Sequence, residues 1–351
     1  MKRDGKGVLS MSENSGVMAQ DKRPSAGWEF LCVGLLRAFL RERGQMTLML
    51  LVSLIPFGWV IPASAVTQPV SYNYADIDGI KIFYREAGDP HKPTILLLHG
   101  IPTSSQMYRD LIPRIAGHFH VIAPDFVGMG NSDAPPASLF TATQANLTKV
   151  MEKFIQQKVK LPAIFYMQDL GGPIGLRIAS SHPQWVSGLV FQNTPISMAG
   201  WNAERVKPFL THNGPVADEE RLAQQRRDLL AADIYFYKTG ARNPAHLNPD
   251  AWATDAYALS NSEKKRIMAD YLADARLSFP LYPLWQGYLR QYEPKTLVVW
   301  GIADPIFDSA GVKDIQAAVP RAKVHLYNTG HFALEEDSDD IAREIIATFG
   351  R

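Results

Sequence analysis

The chain has 351 residues, of which 46% are hydrophobic and 20% are charged, and its formal net charge is +1. This length and apolar content are sufficient for one large domain, or two small ones, with a sizeable core. A net charge so close to zero offers no basic surface for nucleic acid, so we expect no nucleic-acid partner.

The N-terminal segment differs from the rest of the chain and predicts a leader. Residues 1–45 are polar and mixed in charge, whereas residues 46–65 form an apolar run that follows Arg41 and Arg43 and ends in Ala-Ser-Ala. A basic segment, an apolar segment and small residues at a cleavage site are the parts of a secretory signal peptide. We therefore expect cleavage near Ala65 and export, either to a periplasm or out of the cell.

The alternative for the same apolar run is a membrane anchor. Pro56, Gly58 and Pro62 interrupt the run, and it is short for a spanning helix, which needs roughly 20 apolar residues. The sequence therefore favours cleavage. The only cysteine, Cys32, precedes the cleavage site, so the mature chain would contain neither a disulfide nor a cysteine nucleophile.

Apolar strands alternate with helical patterns along most of the remaining chain. Residues 72–77 and 80–86 flank Asp78-Gly79, which predicts a hairpin. Further strands are predicted at residues 94–99, 120–125, 163–167, 186–192, 296–301 and 323–327. Helices are predicted at residues 106–116 and 141–158. Three more helices are predicted, of which one ends at residue 182, one ends at residue 319 and one begins near residue 339. This alternation is typical of an α/β fold with a mostly parallel sheet flanked by helices.

The alternation stops at Pro195. From residue 195 to residue 290 the pattern is helical and rich in aromatic residues, without buried strands. We interpret this segment as a helical cap inserted into the α/β domain. The predicted organisation is therefore a leader at residues 1–65, a first part of the core at 66–194, the cap at 195–290 and a second part of the core at 291–351.

One predicted strand turns directly into a helix. The apolar residues 163–167 are followed by a short turn, by Gly171 and Gly172, and by a helical pattern. A strand that turns sharply into a helix needs small residues where the two backbones approach each other. The residue at the tip of such a turn projects over the edge of the sheet, as nucleophiles do. Asp169 occupies the tip, so we predict a carboxylate nucleophile.

Two further side chains complete a candidate triad. Asp304 follows the strand after the cap, and His331 follows the last strand. Loops after the carboxyl ends of parallel strands share one edge of the sheet, so we expect Asp169, Asp304 and His331 to meet there. Asp308 is an alternative acid, because it lies close to Asp304 in the sequence.

Five motifs, in order along the chain, identify the family that the sequence resembles. They lie at residues 99–105 (His-Gly-Ile-Pro-Thr-Ser-Ser), 124–133 (Pro-Asp-Phe-Val-Gly-Met-Gly-Asn-Ser-Asp), 168–172 (Gln-Asp-Leu-Gly-Gly), 300–305 (Trp-Gly-Ile-Ala-Asp-Pro) and 330–332 (Gly-His-Phe). With these motifs the chain resembles the haloalkane dehalogenase and epoxide hydrolase branch of the α/β-hydrolase family, over roughly residues 72–349. The resemblance implies the α/β-hydrolase fold with an inserted cap, and a hydrolase with an Asp nucleophile.

The chemistry of these side chains gives a two-step mechanism. An ionised Asp169 displaces a leaving group from a saturated carbon and forms an alkyl-enzyme ester. His331 then deprotonates a water that attacks the ester, while Asp304 holds the imidazole in one tautomer. The backbone N–H groups of Ile101 and Leu170 are expected to form the oxyanion hole.

The leaving group is left open by the resemblance. Dehalogenases of this branch hold the departing halide with N–H donors, usually from a Trp after the nucleophile and from an Asn after His-Gly or a Trp of the cap. Leu170 and Ile101 occupy the first two of these positions and are apolar. Cap residues such as Trp201 or Trp252 would have to supply the donors instead.

An epoxide hydrolase needs acids for the alkoxide that ring opening produces, and this family uses two tyrosines of the cap. The candidates are Tyr235, Tyr237, Tyr271 and Tyr282, between which the sequence does not choose. We expect epoxide hydrolase-like ring opening of a small apolar substrate, with haloalkane dehalogenase-like hydrolysis as the alternative. A relative that binds a ligand without catalysis is an alternative from another class, and the intact triad argues against it.

Other chemistry-bearing residues have simpler interpretations. We expect His99 to hold the oxyanion loop, and the remaining histidines lack metal spacing, so we expect neither a metal nor a cofactor. Some relatives carry the acid at the position of Asn193. An amide cannot act as that acid, which favours Asp304. The sequence does not determine the oligomeric state.

Overall fold

The structure is a computed structural model that describes residues 69–211 and 234–350, without the side chains of residues 208–211. The predicted leader and its cleavage site near Ala65 lie outside the described residues. Signal peptide and export therefore stay predictions.

An eight-stranded sheet forms the centre of the described chain. Its strands are β1 (Ser71–Ile77), β2 (Ile80–Ala87), β3 (Thr94–Leu98), β4 (His120–Pro124), β5 (Ala163–Gln168), β6 (Val186–Gln192), β7 (Thr296–Gly301) and β8 (Lys323–Tyr327). Across the sheet their order is β1-β2-β4-β3-β5-β6-β7-β8. The pairs β1–β2 and β2–β4 are antiparallel, and all the other pairs are parallel. This confirms the predicted mostly parallel sheet.

The first two strands are joined by the predicted hairpin turn. Asp78 and Gly79 have φ values of 54° and 84°, as the tight hairpin turn that matches strand twist requires. The N–H of Gly79 also donates to Asp76 Oδ1 over 2.7 Å. The Asp-Gly pair therefore fixes the register in which Ile77 pairs with Ile80.

Alternate residues of the central strands contribute to two apolar cores on opposite faces of the sheet. Leu96, Leu98 and Phe165 lie in one core, whereas Leu97 and Tyr166 lie in the other. Successive side chains of a strand point to opposite faces. Because both faces are covered, the strands are continuous apolar runs, which is why they could be predicted from the sequence.

The helices flank the sheet or lie between β6 and β7. The helices outside the β6–β7 connection are Leu111–Ile115, Gln144–Lys158, Gly171–Ser181, Ala310–Ala318 and Leu334–Phe349. The helices within it are Ala203–Thr211, Asp250–Leu259, Ser262–Asp274 and Tyr282–Tyr292. Residues 234–238 are also helical. Thr143 caps the second helix by accepting a hydrogen bond from the N–H of Asn146. In the part of the chain that the structure describes, no helix is both long and apolar enough to cross a membrane.

One predicted helix is divided in the structure. The sequence predicted a single helix at 106–116, but a 3-10 turn at Ser105–Tyr108 precedes a short α-helix at Leu111–Ile115. Pro113 explains the break. In a continuous helix its ring would clash with the carbonyl of Arg109, and it has no N–H to donate.

The last helix begins earlier than predicted. It starts at Leu334 rather than near residue 339, and its backbone departs from helical torsions at Asp337, with φ −127° and ψ 19°. Ala333 and Leu334 are buried, so the chain enters the helix from the core. The kink separates this buried first turn from the amphipathic remainder of the helix.

The segment predicted as a cap is described for residues 195–211 and 234–290. The residues described there are helical or irregular and contain no strand. Tyr271 and Trp285 share one apolar core with Phe165 and Phe191 of the sheet. The separation of a cap from the rest of the fold, and its predicted boundaries, stay predictions.

Two glycines allow the helix after β5 to approach its neighbours closely. A Cβ on Gly171 would lie 2.1 Å from the carbonyl oxygen of Leu98, and a Cβ on Gly172 would lie 1.8 Å from Thr194 Oγ1. Neither distance is possible between non-bonded atoms. The turn after β5 therefore depends on glycine at both positions, as the sequence predicted.

We expect Gly171→Ala to lower the free energy of unfolding by about 1–3 kcal/mol, because the new methyl group meets backbone rather than a movable side chain. The matched control is Gly287→Ala in the helix Tyr282–Tyr292, where an added Cβ has no neighbour within 4 Å. There alanine should be neutral or stabilise by up to about 1 kcal/mol. Equilibrium urea unfolding measures both variants. Wild-type stability of Gly171→Ala would show that the turn can relax.

Candidate active site

Asp169 lies at the tip of the turn between β5 and the next helix. β5 ends at Gln168, and the helix begins at Gly171. Asp169 has φ +48°, in the left-handed region that non-glycine residues rarely adopt. Thr194 Oγ1 donates a hydrogen bond of 3.0 Å to the backbone carbonyl of Asp169. The turn thus holds the carboxylate at the carboxyl end of the sheet with a strained backbone.

The loop after β3 supplies a backbone donor to this carboxylate. The N–H of Ile101 donates to Asp169 Oδ1 over 2.8 Å, and the N–H of Leu170 also hydrogen-bonds to the carboxylate. His99 anchors the loop, because its Nε2 accepts a hydrogen bond of 2.9 Å from the N–H of Phe126. Two backbone donors that converge on one oxygen-bearing group have the geometry of an oxyanion hole.

His331 and Asp304 form a buried pair, joined by a 2.8 Å hydrogen bond between His331 Nδ1 and Asp304 Oδ2. A carboxylate only accepts, so Nδ1 carries the proton and donates it, which leaves Nε2 as the basic nitrogen. Asp304 Oδ1 accepts from the N–H of Ile306 at 2.7 Å. The alternative acid, Asp308, is exposed and caps the N–H of Ala310 instead.

Asn193 supports the acid, a role that the sequence did not suggest. Its Nδ2 donates to Asp304 Oδ2 over 2.8 Å and to the carbonyl of Gly301 over 3.1 Å, and its Oδ1 accepts from the N–H of Gly301 at 3.0 Å. Asn193 has φ +42°, a conformation that Asn tolerates better than most residues. The residue therefore fixes the orientation of the Asp304 carboxylate.

Gln168 is a second contact that sequence reasoning missed. Its side chain is fully buried, and its Nε2 lies 2.8 Å from Nε2 of His331. In the sequence, a glutamine at the end of a strand cannot be distinguished from a residue that only packs. The one signal for a contact with His331 was that Gln168 comes immediately before Asp169.

The two titratable groups that would react have shifted pKa values. Burial raises the pKa of the Asp169 carboxyl above its ordinary value, while His331 and the N–H groups of Ile101 and Leu170 oppose this rise. Burial alone would lower the pKa of His331. The negative charges of Asp304 and Asp169 and the hydrogen bond to Asp304 outweigh it, so that the pKa is raised.

Aromatic rings link His331 to two of the predicted cap candidates. The rings of Phe307 and Phe236 lie 5.7 Å and 6.4 Å from the imidazole. Trp201 packs edge-on against Phe307, with ring centroids 4.8 Å apart. The indole N–H of Trp201 donates to the hydroxyl of Tyr282 over 2.8 Å. Trp201 and Tyr282 are thus connected to His331 through packed rings.

Two other candidate tyrosines direct their hydroxyl groups to the protein itself. The hydroxyl of Tyr237 donates to Asp255 Oδ2 over 3.0 Å, and that of Tyr271 donates to the carbonyl of Val127 over 3.3 Å. Both tyrosines are buried. Their hydroxyl protons are therefore engaged within the fold.

The remaining candidates have different surroundings. Tyr235 packs against Phe236 with ring centroids 5.4 Å apart, but 44% of its surface is exposed. The ring of Trp252 lies 5.8 Å from that of Tyr237, and Lys238 Nζ lies 5.1 Å from its centroid. Among the described residues, no group of three or more His, Cys, Asp or Glu is placed to hold a metal ion.

Comparison with known proteins assigns the fold to a family. The family described as alpha/beta hydrolase fold matches residues 93–338. The chain belongs to the α/β-hydrolase family. It is 34% identical over 277 residues to an uncharacterized hydrolase from Saccharomyces cerevisiae, with 78% of this chain and 94% of that protein covered. It is 27% identical over 307 residues to a haloalkane dehalogenase from Mycobacterium marinum, with 80% of this chain and 95% of that protein covered.

Solved structures of this family share the fold at low sequence identity. Haloalkane dehalogenase DbeA from Bradyrhizobium elkani superimposes with a TM-score of 0.69 at 19% identity, covering 80% of this chain and 97% of that one. The epoxide hydrolase CorEH superimposes with a TM-score of 0.65 at 19% identity, covering 80% and 99%. The chain is therefore an α/β-fold hydrolase, as its motifs predicted, and it is similar to haloalkane dehalogenases in sequence and to both kinds of enzyme in fold.

We expect Asp304→Asn to lower the pKa of His331, because the negative charge that opposes the effect of burial is removed. Asp308→Asn is the matched control and should leave this pKa unchanged, since Asn keeps the cap on Ala310. NMR titration of histidine labelled at Cε1 measures both variants. An equal effect of the two substitutions would show that Asp304 is not the electrostatic partner of His331.

Proposed function

We propose that the chain opens epoxides with Asp169 as the nucleophile. The observation that carries the proposal is the position of its carboxylate, whose Oδ1 is bound by the N–H of Ile101 at 2.8 Å. With Oδ1 in the oxyanion hole, Oδ2 is the oxygen that attacks carbon. The rings of Phe236, Phe307 and Trp201 near this end of the sheet suit a small apolar substrate.

The first step forms an ester on Asp169. Oδ2 attacks one ring carbon, the bond from that carbon to the epoxide oxygen breaks, and its electron pair stays on the oxygen. We assign Tyr282 to donate the proton that this alkoxide takes up. The hydroxyl of Tyr282 accepts the indole N–H of Trp201, so its own proton is available in another direction. Burial raises the pKa of Tyr282, but an alkoxide is a still stronger base.

The second step hydrolyses this ester with His331 as the base. Nε2 takes a proton from a water, whose oxygen attacks the Asp169 carbonyl carbon, and the resulting charge on Oδ1 is met by the N–H groups of Ile101 and Leu170. Esterification also removes the negative charge of Asp169, which is one of the causes that raise the pKa of His331. The imidazole therefore becomes more readily neutral when a base is needed.

Haloalkane dehalogenation is the second candidate, and the names of several relatives favour it. The same carboxylate would displace a halide, which then needs N–H donors. Ile101 and Leu170 offer only their backbone N–H groups, and these hydrogen-bond to Asp169. The indole N–H of Trp201 donates to Tyr282. This arrangement favours a leaving oxygen over a leaving halide.

Intact mass spectrometry of His331→Gln distinguishes the two reactions. We expect this variant to form the ester and fail to hydrolyse it, because the base is absent. The variant would be incubated with separate pools of terminal 1,2-epoxyalkanes and 1-bromoalkanes of matched chain length. A mass gain equal to the whole epoxide indicates ring opening, and a gain equal to the bromoalkane minus hydrogen bromide indicates dehalogenation.

The controls identify the nucleophile and the acid. His331→Gln combined with Asp169→Ala should give no adduct from either pool. Tyr282→Phe should slow ester formation from epoxides but not from bromoalkanes, whereas Tyr271→Phe, which loses a hydroxyl engaged within the fold, should slow neither. No adduct in His331→Gln from any pool would contradict the proposal and favour a binding protein or another leaving group.

A further inference from the structure

Gln168 occupies a position that the two-step mechanism does not use. It is the last residue of β5, directly before Asp169, and its side chain is fully buried. Its Nε2 lies 2.8 Å from Nε2 of His331. Because Nδ1 of His331 carries the proton donated to Asp304, the amide N–H of Gln168 donates to the lone pair of the basic nitrogen.

The other end of the same carboxamide is unpaired. Oε1 of Gln168 is buried and has no hydrogen-bond partner among the residues at 69–211 and 234–350. A buried acceptor without a partner destabilises the fold, and such a group calls for a functional explanation.

Oε1 also lies next to the candidate nucleophile. A Cβ built on Gly100 would lie 2.4 Å from Oε1 of Gln168 and 2.7 Å from Oδ1 of Asp169. Both oxygen atoms therefore border the same point beside the Gly100 backbone. The carboxamide of Gln168 thus has its Nε2 beside the basic nitrogen of His331 and its Oε1 near the carboxylate of Asp169.

Hydrolysis of an ester on Asp169 requires a water with a defined orientation. One O–H must point to Nε2 of His331, and the oxygen must face the Asp169 carbonyl carbon. The second O–H then needs an acceptor, because an unbonded water rotates out of the attacking geometry. The side chain of Ile101, in the loop after β3, is apolar and offers no acceptor.

We propose that Gln168 positions the hydrolytic water. In the free enzyme its amide N–H holds Nε2 of His331. Once the ester has formed, the water replaces this contact, donates one O–H to Nε2 and donates the other to Oε1 of Gln168. The water oxygen bonds to the Asp169 carbonyl carbon, the bond from that carbon to Oδ2 breaks, and the departing alkoxide takes the proton from Nε2. This inference rests on the proposed ester mechanism.

The first test follows the two steps separately in Gln168→Met, which keeps the length of the side chain but removes its donor and acceptor. The probes are the epoxide and bromoalkane pools, with rapid quenching and intact mass spectrometry. We expect hydrolysis of the ester to slow about tenfold or more, while its formation changes less than about threefold. The ester should therefore accumulate in Gln168→Met during turnover.

Gln144→Met is the matched control for the loss of a buried carboxamide. The amide of Gln144 donates to the carbonyl of Tyr271 and its Oε1 accepts from Ser278, so it makes the same kind of buried contacts away from His331. This variant should lose stability without accumulating the ester.

The second test needs no substrate. Donation to Nε2 favours the neutral imidazole, so Gln168→Met should raise the pKa of His331 in the free enzyme, and Gln144→Met should not. NMR titration of histidine labelled at Cε1 measures both. A side chain that only fills space would leave the titration unchanged.

The outcomes separate this inference from the proposed function. An ester that forms and hydrolyses at the wild-type rate in Gln168→Met, or an unchanged titration of His331, overturns the role of Gln168 alone. The absence of any adduct in His331→Gln overturns the ester mechanism, and the role of Gln168 with it. Slow hydrolysis together with a raised pKa of His331 confirms the inference.

Discussion

The close approach of the helix after β5 to the end of β3 is the contact on which the rest of the site depends. Gly171 lies where a Cβ would meet the carbonyl of Leu98 at 2.1 Å. At this separation the chain has no room for a wider turn, and Asp169 takes a φ of +48° at its tip. The same turn brings the carboxylate within 2.8 Å of the N–H of Ile101. A slightly looser turn would separate the carboxylate of Asp169 from the N–H of Ile101.

The candidate site places two buried carboxylates close to one imidazole, and their charges affect one another. Both carboxylates raise the pKa of His331 against the effect of burial. Hydrogen bonds from backbone N–H groups oppose the rise that burial causes in the pKa of Asp169. The carboxylate of Asp304 accepts hydrogen bonds from the side chain of Asn193 and from the N–H of Ile306. The three reacting groups are therefore coupled, so a change in the charge of one alters the protonation of another. In the proposed mechanism, this coupling makes His331 a better base once the ester on Asp169 has formed.

The sequence revealed the parts of the molecule that have a local signature. Buried strands, the glycines of the turn and side chains after strand ends all leave a pattern, and Asp169, Asp304 and His331 were predicted in this way. The contacts of Asn193 and Gln168 were missed, because a buried amide leaves no periodic signal and its partner is set by packing. The choice of Tyr282 among the tyrosines likewise depends on its contact with Trp201, which lies 81 positions away in the sequence.

Oxygen labelling tests the proposed covalent role of Asp169. A single turnover would be run in H2¹⁸O with enzyme in excess over a substrate from the epoxide or bromoalkane pools. We predict that the oxygen delivered to carbon comes from Asp169, so the product gains no label and the peptide containing Asp169 gains it. Label in the product of this first turnover, with none in that peptide, would mean that water attacks the substrate directly and that Asp169 forms no ester.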